Sequence, residues 1–243
     1  MIKELYYLAY ESRYQSVYEA GFERWGHTPN DEILVGTLTS WVNAHELKGK
    51  SVIEFACGEG AGGEILSELG CVYHGVDIAP TAVHKARAAL ADYENASVSL
   101  LDMVNQRVHG TFDAALDCMG LHMLIPDSDR MKYLSNAYGC LRGGAPMLFF
   151  RELYGEKAPE GIIRLIEEWI TVTGSDYATP LKQTIVNNGK TIEVHIPLVP
   201  GRERTKDGYI REMESAGFII DAFIEMELNL QCPHSVSIFV HKP

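Results

Sequence analysis

The stretch SVIEFACGEGAGGEILSELGCVYHGVDI, residues 51–78, concentrates the residue types that hold a nucleotide-like ligand. Gly58, Gly60, Gly62 and Gly63 leave bare backbone in one turn, so a ligand can come close to main-chain N–H groups. Asp77 follows, and a carboxylate placed there can accept hydrogen bonds from both hydroxyls of a ribose. Glu54 stands before the turn and Cys57 inside it. Gly58-Glu59-Gly60-Ala61-Gly62-Gly63 with Asp77 beyond it fits G-x-G-x-x-G plus a ribose acid, so this stretch alone admits a nicotinamide cofactor.

Such groups need a frame to converge. Residues 51–55 form a short apolar run after Lys48-Gly49-Lys50, as expected of a parallel strand buried on both faces. Ile65, Leu66 and Leu69 recur at helical spacing over 63–69, and Gly70 stands where a helix C-terminal glycine belongs. A second strand over 72–76 ends at Asp77. The alternation continues with a helix over 81–92 behind Pro80, a strand over 98–101 ending at Asp102-Met103, and a strand over 112–116 followed by Asp117-Cys118-Met119-Gly120-Leu121-His122. A helix over 129–141 closed by Arg142-Gly143-Gly144, a strand over 147–150, a helix over 207–216 and strands over 218–228 and 235–241 complete it. In an open parallel sheet, ligands bind beyond the carboxyl ends of the strands, which gathers Glu54 to Gly60, Asp77, Asp102, Asp117, Cys118 and Arg151 around one crevice.

Two segments leave this rhythm. Before the first strand, residues 1–45 read as mostly helical, with Tyr7, Tyr10, Tyr14 and Tyr18 on one helix face and a second helix over about 31–45. That tyrosine face either packs on the domain or forms an aromatic lid with Tyr14, Trp25 and His27 at its tip. Residues 154–206 carry a helical face of Ile162, Leu165, Ile166, Trp169 and Ile170, then two strands over 181–196 joined by Asn187-Asn188-Gly189-Lys190. They form a cap over the crevice or a peripheral hairpin.

Composition narrows the class. The 243 residues, 46% hydrophobic, bury one sizeable core with a modest insertion. A net charge of −12 without a basic stripe argues against a nucleic-acid substrate. No apolar run reaches membrane-spanning length and no basic leader precedes one, so a cytoplasmic location is expected. The five cysteines are scattered and Cys232-Pro233-His234 lacks companion ligands, so no metal is expected and that segment reads as a turn.

Taken in order, these motifs resemble the class I S-adenosylmethionine-dependent methyltransferases of the small-molecule type. Glu54-x-x-x-Gly58-x-Gly60 is similar to their first motif, with Ala56 where that family usually has its first glycine; FDAAL, the Leu121-His122 element, CLRGGAPMLFF and the last helix with its closing strand pair resemble the family's later segments. The resemblance implies a Rossmann-like α/β fold, a doubly wound, mostly parallel seven-stranded sheet with an antiparallel last strand. It divides the chain into a helical lid (1–45), a core (46–153 and 207–243) and a cap (154–206).

It also implies S-adenosylmethionine as cofactor, held by Glu54, Ala56, Cys57, Gly58, Gly60, Asp77, Ile78, Asp102, Met103, Asp117 and Cys118, with Tyr14 and Trp25 from the lid. Transfer to nitrogen or oxygen of a small molecule follows, the acceptor meeting Tyr10, His27 and Arg151. His122 is the general base or a structural histidine, and Arg151 binds a substrate carboxylate or pairs with Glu152 or another acid. A homodimer is compatible with this reading. The competing readings are an NAD(P)-dependent oxidoreductase and a cofactor-binding but inactive regulatory partner.

Overall fold

In the computed structural model, residues 5–187, 190–226 and 234–243 are described below. Side-chain alternation along the strands sets the layers. In β1 (Ser51–Phe55), Val52 joins the core on one sheet face while Ile53 and Phe55 join the other, all three fully buried. In β5 (Pro146–Leu153) the same period sends Met147 and Phe149 one way and Leu148 and Phe150 the other. Both faces therefore need helical cover. On the Val52 side it comes from α2 (Glu32–Ala44), α3 (Ala61–Glu68) and α4 (Pro80–Ala89); on the Phe55 side it comes from α5 (Asp127–Cys140) and α7 (Lys206–Ser215).

The sheet is completed by β2 (Val72–Asp77), β3 (Ala96–Leu100), β4 (Ala114–Cys118), β8 (Ile219–Met226) and β9 (Ser235–His241), in the order β3-β2-β1-β4-β5-β9-β8. Neighbours from β3 through β5 pair in parallel; β9 runs antiparallel between β5 and β8. This is the doubly wound, seven-stranded arrangement expected, and chain order reverses between β1 and β4, where a crevice opens. Ahead of the sheet lies α1 (Ala9–Glu19), and between β5 and α7 lie α6 (Ile166–Thr173) and a separate hairpin of β6 (Leu181–Asn187) and β7 (Lys190–Ile196). None of the helices among the described residues is long and apolar enough to cross a membrane.

Several boundaries differ from expectation. The fourth strand, expected over 112–116, starts two residues later because Asp113 turns its carboxylate to the N–H and hydroxyl of Ser51 at the start of β1. The strand expected over 147–150 runs on to Leu153 because β9 pairs with it beyond a bulge. The helical face expected from Ile162 does not form. Leu165 is extended and α6 begins after it, leaving Ile162 and Leu165 exposed while Ile163 packs with Ile125 and Trp169. The proposed hairpin turn at Asn188-Gly189 and the Cys232-Pro233 turn lie outside the described residues.

Two glycines are required by packing. A Cβ on Gly63 would lie 2.5 Å from the fully buried Tyr73 ring, and one on Gly62 would lie 2.5 Å from the Glu54 carboxyl. Their bare Cα atoms let α3 lie directly on β1 and β2. Gly63→Ala is expected to destabilise the fold by about 1–3 kcal/mol through overpacking. A denaturation midpoint unchanged from wild type would contradict this.

Candidate functional site

Two cavities meet at the carboxyl ends of the strands, sharing Tyr14, Ala56 and Met123 as common wall. The first, about 280 Å³, is lined by Trp25, Gly26, His27, Glu54, Cys57, Gly58, Glu59, Cys118 and Met119. The second is lined by Tyr7, Tyr10, Asp77, Ile78, Asp102, Met103 and Tyr133. The sequence-derived candidates Tyr10, Tyr14, Trp25, His27, Glu54, Ala56, Cys57, Gly58, Asp77, Ile78, Asp102, Met103 and Cys118 thus line these two adjoining cavities.

Three adjacent strand ends carry non-glycine residues in left-handed backbone: Ala56 after β1 (φ 52), Met119 after β4 (φ 62) and Arg151 in β5 (φ 57). Such strain concentrates where a site is being shaped. It also explains why a glycine suits position 56. Ala56→Gly is expected to stabilise the fold by about 0.5–1 kcal/mol, the left-handed penalty of roughly 1–2 kcal/mol less glycine's added chain entropy of roughly 0.5–1 kcal/mol. Urea unfolding measures it, and a lower midpoint would mean that the methyl's contacts matter more than its backbone.

The acids around the turn have separate tasks. Asp77 accepts the Gly58 N–H through Oδ2 and the Ala79 N–H through Oδ1, both at 2.8 Å, which ties the glycine turn to the end of β2. Burial raises its carboxyl pKa, against the lowering effect of those N–H groups. Glu54 takes a hydrogen bond from the Tyr73 hydroxyl, yet full burial and the nearby Asp117 and Asp77 push it up to about 8. It is therefore mostly protonated at neutral pH. Asp102 accepts the N–H groups of Val104 and Asn105 and the Tyr7 hydroxyl, so it shapes the loop after β3 as well as lining the second cavity. Burial raises the thiols of Cys57 and Cys118, which keeps both protonated.

Glu59 was not singled out from the sequence. Its carboxylate accepts the N–H groups of Trp25 (3.1 Å) and Gly26 (2.9 Å) and the Tyr18 hydroxyl, fastening the N-terminal segment to the glycine turn. Its place between two turn glycines, where a side chain must project outward, was the available signal. Trp25 is held further by Tyr14 edge-on, by Tyr10 stacked and by the Arg13 guanidinium over its ring. Among the described residues the β6–β7 hairpin lines neither cavity; Val194 and Ile196 pack on Val17, with Trp25 at the margin of that cluster.

Four candidates do not line the space. Gly60 (φ 85) caps α3, where a Cβ would press on Ala86 and Leu90. Asp117 is fully buried, accepting from the Gly120 N–H and the Tyr133 hydroxyl. It faces Glu152 across the core, and burial raises both acids, Glu152 to about 7, so the pair holds a proton between them. His122, expected as either the general base or a structural histidine, is buried behind the wall: one Glu152 oxygen accepts both its backbone N–H (2.7 Å) and its Nδ1–H (3.0 Å). Burial lowers its imidazole to about 4. It is a neutral structural histidine here, because the 3-10 turn Leu121–Met123 points it back under β5 and leaves Met123 facing the cavities.

Arg151 is turned by the β5 bulge toward α2, not into the cavity. It pairs with neither Glu152 nor a ligand site; Nη1 and Nη2 grip the Asp31 carboxylate at 2.5 and 3.1 Å. Burial acts to raise Asp31, but the Arg151 pairing and the α2 cap bond from Leu34 N–H hold it down at about 2. Among the described residues no group of His, Cys, Asp and Glu could hold a metal ion.

Residues 53–147, which include the glycine turn, Asp77 and Asp102, match the family model of a methyltransferase domain. The fold is similar to that of an S-adenosylmethionine-dependent methyltransferase from Clostridium acetobutylicum ATCC 824 (TM-score 0.63, 11% identity, 97% of this chain and 98% of that one). It is also similar to Burkholderia thailandensis 1,6-didemethyltoxoflavin-N1-methyltransferase with bound 1,6-didemethyltoxoflavin and S-adenosylhomocysteine (0.66, 16%, 98% and 88%). A third likeness is to magnesium protoporphyrin IX methyltransferase from Synechocystis PCC 6803 with bound SAM (0.59, 14%, 96% and 90%). No curated protein matches the chain in sequence.

Proposed function

We propose that this chain, a class I S-adenosylmethionine-dependent methyltransferase by its domain match and fold, methylates a nitrogen or oxygen of a small-molecule acceptor. The match over residues 53–147 includes the glycine turn, which sets aside the nicotinamide reading of that turn. The observation that carries the acceptor class is the lining of the site: a partly enclosed cavity of about 280 Å³ walled by aromatic and thioether side chains and, among the described residues, holding no lysine or arginine.

The residues fit the cofactor. Gly58 has φ 52, and a Cβ there would meet the Tyr14 hydroxyl at 2.9 Å, so only bare backbone leaves the turn open beside Tyr14. In this reading Asp77 and Ile78 hold the ribose side, Asp102 and Met103 the adenine side, and Glu54 through Gly58 with Cys118 the methionine side. Bound S-adenosylmethionine supplies an electrophilic methyl on its sulfonium. The chain's work is then alignment of the acceptor and exclusion of water, for which residues 1–45 serve as lid with Tyr14 and Trp25 over the space. Residues 154–206 brace that lid from outside through the Val194 and Ile196 contact.

Calorimetric titration with S-adenosylmethionine and S-adenosylhomocysteine tests the cofactor, and failure to bind either would overturn the reading. Release of S-adenosylhomocysteine over a panel of amines, heteroaromatics, phenols and carboxylates tests the acceptor class. Tight binding without turnover on any of them would favour the inactive partner instead.

A further inference from the structure

His27 has neighbours on both ring nitrogens, and they do not accept every protonation state. On the Nδ1 side stands Arg151 Nη1 at 3.1 Å, a group that can only donate. On the Nε2 side stands the Met119 thioether sulfur at 3.1 Å, which has no proton to give. Both contacts fit a single state, with Nδ1 accepting from the guanidinium and Nε2 carrying the hydrogen. Asp31 Oδ2 lies 3.3 Å from Nδ1 and would favour a proton there, but that oxygen already takes the Arg151 N–H at 2.5 Å. A second proton would set an imidazolium against a guanidinium. Burial and Arg151 in fact lower the imidazole's pKa, and Asp31 only partly offsets them.

The arrangement is built into the fold. The β5 bulge and the left-handed backbone at Arg151 aim the guanidinium across to α2, where Asp31 is also the helix cap. The left-handed backbone at Met119 brings that residue to the same cavity wall. The ring packs edge-on against Phe150 at the end of β5. In sheet order that end lies beyond β1 and β4 from β2, whose end carries Asp77 and the ribose side.

We propose that His27 is a hydrogen-bond donor to the methyl acceptor, its Nε2–H passing from the weakly accepting Met119 sulfur to a carbonyl, carboxylate or ring-nitrogen lone pair that takes that sulfur's place, with Arg151 as the positioning residue that sets the tautomer. This rests on the methyltransferase reading for the identity of the ligand but not for the tautomer. It excludes His27 as the base that deprotonates the acceptor, since its only lone pair is turned to Arg151. The acceptors it selects carry a hydrogen-bond-accepting atom near a nucleophile needing no proton removed by this ring.

Long-range nitrogen-proton NMR of the whole protein with ring-labelled histidine, His27 being identified by loss of its signal in His27→Gln, reads the tautomer without any ligand. A protonated Nε2 and bare Nδ1 are expected, and Arg151→Met should release Nδ1 and give a tautomer mixture. A protonated Nδ1 in the wild type would overturn the proposal. With S-adenosylhomocysteine saturating, quinoline should shift the Nε2–H signal and indole, a donor, should not; a shift with indole alone, or with neither, overturns the ligand assignment. His27→Phe should abolish quinoline binding, His27→Gln should restore it within about tenfold, and both should keep S-adenosylhomocysteine affinity within about twofold. A tenfold loss of that affinity in both variants would assign the donor to the cofactor and overturn the proposal. Absence of S-adenosylhomocysteine binding to the wild type strikes the methyltransferase reading and leaves the tautomer standing.

Discussion

Asp77→Ala is expected to weaken S-adenosylmethionine binding about 100-fold, a loss of roughly 2.8 kcal/mol at 1.4 kcal/mol per tenfold. The carboxylate has two functions that the alanine cannot share. It holds the Gly58 and Ala79 N–H groups at 2.8 Å, and charge-assisted bonds of this kind contribute roughly 1.5–3 kcal/mol each. It also lines the second cavity with lone pairs left for a ribose diol. Asp77→Asn preserves volume and removes charge, so a loss of about tenfold is expected, near one charge-assisted bond. Acidification should act in the same direction. Burial raises the Asp77 carboxyl above its ordinary value, so lowering the pH protonates it sooner than an exposed aspartate and affinity falls. Asp77→Asn should flatten that acid limb. Calorimetry across pH tests all three, and an Asp77→Ala affinity within threefold of wild type would remove Asp77 from the site.

The strand cores and the glycine turn were legible because their cause is local. Alternation in β1 and β5 and the punctuation by glycines at 58–63 and 70 need no knowledge of partners. Asp77 and Asp102 could be placed because an acid ending an apolar run ends a strand. His122 and Arg151 each stayed between two readings for the opposite reason, and each takes the structural one, with Glu152 and Asp31 as partners. The direction of each side chain is set by β9 pairing with β5 across a bulge and by a Glu152 oxygen that holds the turn before α5, both contacts between residues far apart in sequence. His27 reached the cavity as expected, yet its chemistry depends on Arg151, 124 positions away. Ala56 looked like a departure from a glycine pattern. In the fold it keeps the glycine's backbone conformation and adds a methyl to the wall shared by both cavities.

The same dependence on distant partners makes Arg130 the expected weak point of the fold. It is fully buried on α5, its Nε and Nη2 bonded to the Glu212 carboxylate of α7 at 2.6 and 2.8 Å, and its Nη1 donates to the carbonyls of Leu121 and Leu124. Those carbonyls flank Met123, a wall of both cavities, so one guanidinium locks a helix to the floor of the site. Arg130→Met keeps much of the volume but leaves Glu212 buried, with Arg204 Nε at 4.0 Å as its nearest remaining ion-pair partner among the described residues. A loss of about 3–5 kcal/mol is expected, since an uncompensated buried charge costs more than the pair contributes. The double variant Arg130→Met with Glu212→Leu should recover a large part of that loss, because it removes the stranded charge and leaves only the two freed carbonyls. Urea unfolding of the three proteins decides between charge and packing as the cause. Equal destabilisation of single and double variants would assign the loss to the Leu121 and Leu124 bonds, and a single-variant loss under about 1 kcal/mol would show that the pair is not buried in solution.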